Sequence, residues 1–269
     1  MTTSTTLTAW IDGIGVLGPG LATWPAARAI LAGSTEYVPQ AIVFPTLQML
    51  PPAERRRVGK SVKVALAVAQ EAVTDSAQDA SQLASVFSSS SADVDNCDAI
   101  CQALATDDRQ LSPTRFTNSV HNAPAGYWGI ASGAMAPATV LCAYDGSFGA
   151  GLLEALAQVA VDGLPVLLAT YDMPYPEPLN VTRPLAGTFG IGLVLMPRPG
   201  ERSLAKIQVS FTDAPGDCMD DPDLEALRRG IPSARGLPLL RSLARGRSES
   251  VVLDYLDPLR LAVMVEACR

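Results

Sequence analysis

The chain has 269 residues and a formal net charge of −7, and 48% of its residues are hydrophobic whereas 17% are charged. This length and composition allow one large domain or two small ones with a sizeable core, and the acidic balance argues against nucleic acid as the main partner. The N-terminal residues show no basic region followed by an apolar core, so no secretory signal is predicted and a cytoplasmic location is expected. The most apolar long stretch, residues 151–170, is interrupted by acidic residues and a proline, which predicts a core helix and strand and no membrane span.

The cysteines are odd in number and irregular in spacing, which is not typical of a disulfide framework. Two of them share one face of a predicted helix, but no histidine or further cysteine is placed to complete a metal site, so none is predicted. We interpret all five as buried free thiols in a reducing compartment. They are Cys97, Cys101, Cys142, Cys218 and Cys268.

The first predicted strand covers Leu7 to Ile14 and runs into a GxGxxG string at residues 13–18. Such a string binds a dinucleotide when it opens directly into a helix whose N-terminus meets the pyrophosphate. Here a proline and a further glycine follow, and the next predicted helix starts near Ala22. Glu36 follows the string at about the sequence spacing of the acidic residue that contacts the ribose in such sites. Nucleotide binding therefore stays an alternative, supported only by this weak motif match.

A short helix is predicted over Ala22 to Ala32, with Gly33 as its stop, and the proline-rich segment 39–52 is predicted to be irregular. A long amphipathic helix is predicted from Ala53 to Ser76, after two prolines that suit a helix start. Its apolar residues recur every three to four positions, which predicts one buried face. The residues of that face are Val58, Val62, Leu66, Ala69 and Val73.

Five cations occupy the first turns of this long helix. Cations oppose the helix dipole at that end by roughly 0.3–1 kcal/mol each, so another interaction is expected to favour them. They could dock an acidic carrier protein or a partner subunit, and the alternative is an ordinary solvated face. The five are Arg55, Arg56, Arg57, Lys60 and Lys63.

The middle of the chain alternates predicted strands and helices. A strand over Leu83 to Ser88 leads into a serine-rich turn, and Asp93 is suited to cap a helix over Val94 to Leu104. Further on, Thr139 to Ala143 is an apolar run suited to a short buried strand, and Gly146 breaks the chain after it.

Apolar residues then recur at helical spacing until Asp162 and Gly163, and Leu164 to Thr170 is a second apolar run. Strand, sharp turn, helix and strand in this order predict a parallel α/β sheet. The apolar helical positions are Phe148, Leu152, Leu153, Leu156 and Val159. Strands are also predicted over 189–196, 203–211, 251–255 and 260–266, and helices over 223–229 and 237–243.

The strand-turn-helix segment resembles the nucleophile segment of the β-ketoacyl synthases of the thiolase-like superfamily, which is similar to TVxTACSS. Here residues 139–146 are TVLCAYDG, so Tyr144 stands at the position of the cysteine. WIDGIG at 10–15 is similar to their opening strand, FTNSVHNAPAG at 116–126 to the segment before the nucleophile, and residues 189–196 to the strand that closes their first half. PPAERRR at 51–57, SPTRF at 112–116 and SFGAGL at 147–152 resemble a small branch without the nucleophile, the chain-length factors of aryl polyene-type clusters.

This resemblance implies an α/β, thiolase-like fold, with a complete first ketosynthase half over residues 1–200 and a reduced C-terminal segment over residues 201–269 packed on the same fold. It implies a heterodimer with an active ketosynthase, in which this chain shapes the acyl pocket during polyketide, aryl polyene or fatty-acid-type elongation. An acyl carrier protein is implied as a further partner, and no cofactor is implied. A different class stays open, a stand-alone structural or acyl-binding protein without a ketosynthase partner.

The resemblance also implies that condensation needs a cysteine and two histidines from the second half, whereas the one histidine here, His121, precedes the nucleophile position. A tyrosine hydroxyl titrates near 10, so almost none of Tyr144 is phenolate at neutral pH and independent activity is not expected. Cys142 shares a strand face with Tyr144 and is the alternative nucleophile, but burial would raise the pKa of its thiol, and a small core residue is the simpler role. DGSFG at 145–149 partly resembles a hydrolase elbow, which needs its histidine after the serine.

In this family the segment before the nucleophile position is implied to lie at the subunit interface beside the acyl tunnel. Its bulky rings are predicted to end the tunnel and so to set product length, and the alternative is that they pack in the core. His121 is expected to be a hydrogen-bonded structural residue. The predicted pocket and interface residues are Phe116, His121, Asn122, Tyr127, Trp128, Cys142 and Tyr144.

Overall fold

A computed structural model describes residues 6–268. The strands are β1 (Leu7–Leu17), β2 (Ala84–Ser88), β3 (Ala138–Leu141), β4 (Val166–Asp172), β5 (Phe189–Met196), β6 (Ala205–Thr212), β7 (Glu249–Asp254) and β8 (Arg260–Ala267). The helices are α1 (Trp24–Leu31), α2 (Pro52–Arg55), α3 (Lys60–Ser76), α4 (Val94–Leu104), α5 (Pro113–Asn118), α6 (Ala123–Ser132), α7 (Ser147–Ala157), α8 (Leu179–Thr182), α9 (Pro222–Gly230) and α10 (Leu237–Arg245).

The strands form one eight-stranded sheet in the order β3-β2-β4-β5-β1-β6-β8-β7. β2 pairs in parallel with β3 and β4, which confirms the predicted strand-turn-helix-strand unit. The remaining pairs are antiparallel, so the sheet is mixed. The predicted boundary at residue 200 falls between β5 and β6, and β6 continues the sheet by pairing with β1.

Two hydrophobic clusters hold the layers together. One lies between the sheet and α1, α7, α9 and α10, and the other packs α3 and α6 on the opposite side. The five apolar residues predicted to face inward from the long helix are all buried. None of the helices within residues 6–268 combines the length and hydrophobicity that a membrane span requires.

The GxGxxG string has a packing role. Gly13 and Gly15 on β1, with Gly192 on β5, lie against the backbone of α3, and a Cβ at any of them would overlap backbone atoms of that helix. The turn after β1 does not open directly into a helix, because α1 begins at Trp24. The glycines therefore let α3 approach the sheet, and the structure gives no support to the nucleotide interpretation.

The predicted helix over Ala53 to Ser76 is divided into α2 and α3. Gly59 interrupts it with an extended backbone, and a side chain there would overlap the carboxylate of Asp93. The cations at 55–57 therefore precede the long helix, and only Lys60 and Lys63 lie in its first turn. Three helices, α5, α6 and α8, were absent from the sequence-based prediction.

Two predictions of burial are wrong. β3 is only partly buried because it forms the edge of the sheet and has one strand neighbour. All five cysteines are exposed. Cys97 and Cys101 lie on the solvent side of α4, which buries only Val94.

Candidate functional site

The turn between β3 and α7 carries the residue predicted to replace the nucleophile. Tyr144 has a φ of +52°, a left-handed conformation that is uncommon for a residue with a side chain. The Ser147 hydroxyl fastens this turn, because its Oγ accepts from the Ala143 amide at 3.1 Å and donates to the Tyr144 carbonyl at 2.7 Å. The turn directs the phenol outward, and Tyr144 is 62% exposed.

An arginine holds the Tyr144 ring. The guanidinium carbon of Arg183 lies 3.4 Å from the ring centroid, a cation–π contact. Arg183 also pairs with Asp145 at 3.1 Å, and Arg235 pairs with the other oxygen of that carboxylate at 3.3 Å. Among the described residues no hydrogen bond links the Tyr144 hydroxyl to a base, so this arrangement binds and orients the ring and does not activate the phenol.

Cys142 lies just beyond the end of β3 and is exposed, so its predicted role as a core residue is wrong. Its thiol donates a hydrogen bond to the Ser90 carbonyl at 3.3 Å. Neither His121 nor a carboxylate hydrogen-bonds to this sulfur within residues 6–268, so the described chain supplies no base that would generate a thiolate. A set of three or more ligating side chains suited to a metal ion is also absent from these residues.

Sequence reasoning missed a buried carboxylate below the turn. Asp172 ends β4 and accepts hydrogen bonds from the amides of Ser90 at 2.8 Å and Ser233 at 2.7 Å. Burial raises the pKa of Asp172, and these hydrogen bonds oppose the rise. Asp172 therefore connects the loop after β2 to the C-terminal segment. In the sequence, the one feature that could have indicated this role was an aspartate at the end of an apolar run.

His121 lies between α5 and α6 and is half-buried. Burial lowers the pKa of its imidazole, although a hydrogen bond with the backbone of Ser89 opposes this. Its Nε2 atom is buried without a hydrogen-bond partner, and Asn122 beside it is exposed. Burial therefore disfavours the protonated form of this imidazole.

The three aromatic rings in the segment before the nucleophile position lie in different environments. Phe116 on α5 is 62% exposed, whereas Trp128 on α6 is 1% exposed and packs in the cluster with α3. Tyr127 is buried, and its hydroxyl donates to Asn118 Oδ1 at 2.9 Å, while the amide of Asn118 donates to the Arg57 carbonyl at 2.6 Å. Of the three, Phe116 is the ring available to a neighbouring molecule.

The five cations predicted to dock a partner differ in whether their side chains already bind other residues of this chain. Arg55 donates to the Leu50 carbonyl at 3.0 Å, Arg57 pairs with Glu54 at 3.1 Å, and Lys60 pairs with Asp95 at 3.1 Å. The side chains of Arg56 and Lys63 make no ion pair or hydrogen bond to any described residue. These two are the cations free to meet an acidic partner.

Four exposed apolar residues, here called the apolar patch, lie on α5, on α6 and in the segments next to these helices, one of which leads into β3. Each exposes about half of its surface or more. A shallow groove of about 280 Å³ crosses the patch between α5 and α6. The residues of the apolar patch are Phe116 (62% exposed), Val120 (46%), Ile130 (54%) and Met135 (96%).

Comparison with known proteins gives a family and a fold. Residues 24–245 match the family model described as β-ketoacyl synthase, N-terminal domain, and no curated protein sequence matches. Solved structures share the fold over nearly their whole length. One is the complex of the ketosynthase ApeO with its chain length factor ApeC from Xenorhabdus doucetiae, at 21% identity and a TM-score of 0.73, covering 96% of this chain and 99% of that one.

Two further structures have the same fold at lower identity. The ishigamide ketosynthase/chain length factor matches at 14% identity and a TM-score of 0.74, covering 97% of this chain and 100% of that one. AntDE:AntF, a type II PKS acyl-carrier protein in complex with its ketosynthase, matches at 12% identity and a TM-score of 0.74. This match covers 98% of this chain and 100% of that one. The predicted α/β thiolase-like fold is confirmed.

Proposed function

Since the chain belongs to the β-ketoacyl synthase family, we propose that it is a non-catalytic chain-length factor that pairs with an active ketosynthase. The observation that carries this proposal is Tyr144 in the strained turn where the family resemblance places the cysteine. Its hydroxyl has no hydrogen-bonded base among the described residues, so this turn does not supply the activated nucleophile that condensation needs. Condensation would then depend on the partner's nucleophile.

Two features support pairing. β3 forms an open edge of the sheet, and an edge strand presents unpaired N–H and C=O groups to another chain. The apolar patch is the kind of exposed surface that marks a protein interface. The solved complexes named above contain a ketosynthase with a chain length factor or with a carrier protein. An obligate interface of this kind buries on the order of 2,000 Å² or more.

We propose that Phe116 contributes to the wall that ends the acyl tunnel. It is exposed on α5, beside the groove lined by Val120 and Ile130. An acyl chain gains about 0.8 kcal/mol for each methylene that enters an apolar slot, and this gain stops at a close-packed ring. Trp128 lies behind this surface, in the core, and its role would be to support α6.

A carrier protein that delivers acyl groups would meet the free cations. Arg56 and Lys63 fit an acidic carrier surface, because their charges are not neutralised within the described chain. Residues 201–269 would act as a reduced second half, since β6, β7 and β8 extend the sheet of residues 6–200.

The test is co-expression with ketosynthases that carry an intact cysteine and two histidines and are encoded beside this gene. We expect a stable heterodimer by size-exclusion chromatography and elongation that requires both chains. Intact mass after incubation with acyl and malonyl carrier-protein thioesters should show no adduct on this chain. A stoichiometric adduct on Cys142 or Tyr144 would contradict the non-catalytic role, and a well-behaved monomer that ignores every such ketosynthase would favour a stand-alone protein.

A further inference from the structure

An apolar cavity of about 710 Å³ lies between the end of β1, the residues just before α1, segment 43–49 and α3. Small-molecule sites have volumes of roughly 300–1,000 Å³ and are lined mainly by apolar groups. The lining shares no residue with the turn at Tyr144 or with the apolar patch, so the cavity is a separate candidate site. Its aliphatic side chains include Val16, Leu17, Val43 and Met49.

Glu71 on α3 carries the one charged side chain among the described residues that line this cavity. Its Oε2 and Oε1 atoms accept hydrogen bonds from the amides of Val16 at 2.9 Å and Trp24 at 2.6 Å. An ionised carboxylate accepts about four hydrogen bonds, two at each oxygen. Each oxygen of Glu71 therefore retains the capacity to accept one further hydrogen bond.

This half-buried carboxylate has no cationic partner within residues 6–268. Burial raises the pKa of Glu71, the two amides lower it, and the charge of Asp75 raises it further. Charges that are removed from water are normally paired in proteins. A cation that enters the cavity would therefore gain an attraction that no side chain of the described residues uses, whereas an anion would be repelled.

The outer wall of the cavity is held by few hydrogen bonds. Within the described part of the chain, residues 41–45 make no hydrogen bond to another backbone group. Val43 belongs to this wall and is 83% exposed. Exposed aliphatic surface gains free energy when apolar groups cover it, so this wall favours a ligand with a hydrocarbon portion.

We propose that this cavity binds an amphiphile with an ammonium group, the ammonium at Glu71 and the hydrocarbon chain between β1 and segment 43–49. A charge-assisted hydrogen bond to the carboxylate fixes the head group, and burial of each methylene favours the chain. All walls of the cavity come from this chain. The proposal therefore goes beyond pairing with a ketosynthase and does not depend on it.

The test is isothermal titration calorimetry of the purified full chain with three ligands of equal chain length, decylamine, decanol and decanoate. At about pH 8 the amine is protonated, since primary amines titrate near 10.4. We expect one saturable site per chain for decylamine. Decanol should bind about tenfold more weakly, because it lacks the charged hydrogen bond, and decanoate should bind more weakly still.

Glu71→Gln removes the charge and keeps a side-chain oxygen that accepts from an amide. It should reduce the preference for decylamine over decanol from about tenfold to about twofold or less. Asp107→Asn, at an exposed position after α4, makes the same change in net charge and should leave the preference unchanged.

The apolar part of the site is tested by filling it. Ala67 lines the cavity on α3, so Ala67→Leu should weaken decylamine and decanol alike, by about tenfold. Ala105→Leu, also at an exposed position after α4, is the matched control and should bind both ligands as the wild type does. Circular dichroism checks the fold of every variant. If Glu71→Gln does not fold, the three ligands and Ala67→Leu decide the question.

The proposal is overturned if decylamine shows no saturable binding, or if decanol or decanoate binds the wild type as tightly as decylamine. Full decylamine affinity in folded Ala67→Leu would overturn it as well, because the ligand would then lie elsewhere. Loss of decylamine binding on addition of a saturating ketosynthase would assign the cavity to the partner interface and would also contradict it.

Discussion

The two edge strands of the sheet, β3 and β7, have different surroundings. At the β7 edge, the buried guanidinium of Arg228 donates to both oxygens of Glu225 at 2.7 Å and to Asp254 at 2.5 Å. Arg260 adds a second ion pair to Asp254 at 3.3 Å. At the β3 edge the strand has four partly exposed residues, and the segment that leads into it carries Met135 of the apolar patch.

The two edges are therefore expected to be stabilised in different ways, the β7 edge by contacts within the chain and the β3 edge by contacts with a partner. At the β7 edge the Val252 amide donates to the Asp217 carboxylate at 2.9 Å and the Val252 carbonyl accepts from the Asp217 amide at 2.8 Å, so this edge is paired within the chain. An apolar edge gains free energy only when another surface covers it. Substitutions at the β7 edge should therefore change the free energy of unfolding of this chain, and substitutions on the apolar patch should change binding of a partner.

The largest effect is expected at the closed edge. Arg228→Met removes the cation from two carboxylates around a buried side chain, and breaking a buried pair costs about 3–5 kcal/mol. Arg245→Met is the control, because Arg245 pairs with Asp220, whose side chain is 81% exposed, and such pairs contribute about 0–1 kcal/mol. Urea unfolding of both variants measures the difference. Equal midpoints would contradict the view that ion pairs complete this edge.

At the open edge, two aromatic residues should behave in opposite ways. Trp128→Ala opens a core cavity and should reduce the free energy of unfolding by about 3–5 kcal/mol. Phe116→Ala should leave it nearly unchanged, yet lengthen the product of the reconstituted ketosynthase complex. The measurements are urea unfolding and the product-length distribution. If Phe116→Ala forms an intact complex with the wild-type distribution, Phe116 does not limit chain length.

The apolar patch is tested by placing a charge on it. Ile130→Glu should leave the fold intact and weaken pairing by about 2 kcal/mol or more if Ile130 lies at the centre of the interface. Val161→Glu is the matched control, since Val161 is 79% exposed and lies outside the patch. Size-exclusion chromatography and titration calorimetry with the ketosynthase compare the two. Equal affinities would show that the partner binds elsewhere.

A smaller, salt-dependent effect is expected from the free cation before α3. Arg56→Glu should slow association with an acidic carrier protein at low ionic strength, and high salt should reduce the difference. Lys60 is a poorer choice for this substitution because it is already paired with Asp95. Arg247→Glu, an exposed position near β7, serves as the control. Stopped-flow association rates that do not distinguish the two variants would make Arg56 a solvated residue.

Patterns with a strong local cause were predictable from the sequence. The inward face of α3 follows from helical periodicity, and the predicted residues on it, Val62, Leu66, Ala69 and Val73, are all buried. Asp93 caps α4 as predicted, accepting from the Asn96 amide at 3.1 Å. β5 has the predicted bounds because an uninterrupted apolar run is typical of a strand buried on both faces.

Features that depend on distant neighbours were not predictable. The exposure of Cys142 and β3 depends on β3 being the last strand of the sheet, and sequence alone does not give strand order. The long helix divides at Gly59, where Asp93 approaches from a distant part of the sequence. Asp172 binds amides from two distant loops, so an isolated aspartate gave no sign of that role.

The smallest expected effect concerns protonation at the open edge. Burial lowers the pKa of His121 below its ordinary value, so the folded chain binds the proton less tightly than the unfolded chain. His121 therefore contributes stability that is present above the ordinary pKa near 6.5 and is lost as pH falls through the lowered folded value. It is the chain's one histidine, so a single imidazole resonance reports its titration by NMR. We expect a midpoint below 6.5 in the folded chain and near 6.5 in urea, and His121→Gln should reduce the loss of stability between these values. A folded midpoint above 6.5 would show that a nearby anion, rather than burial, controls this residue.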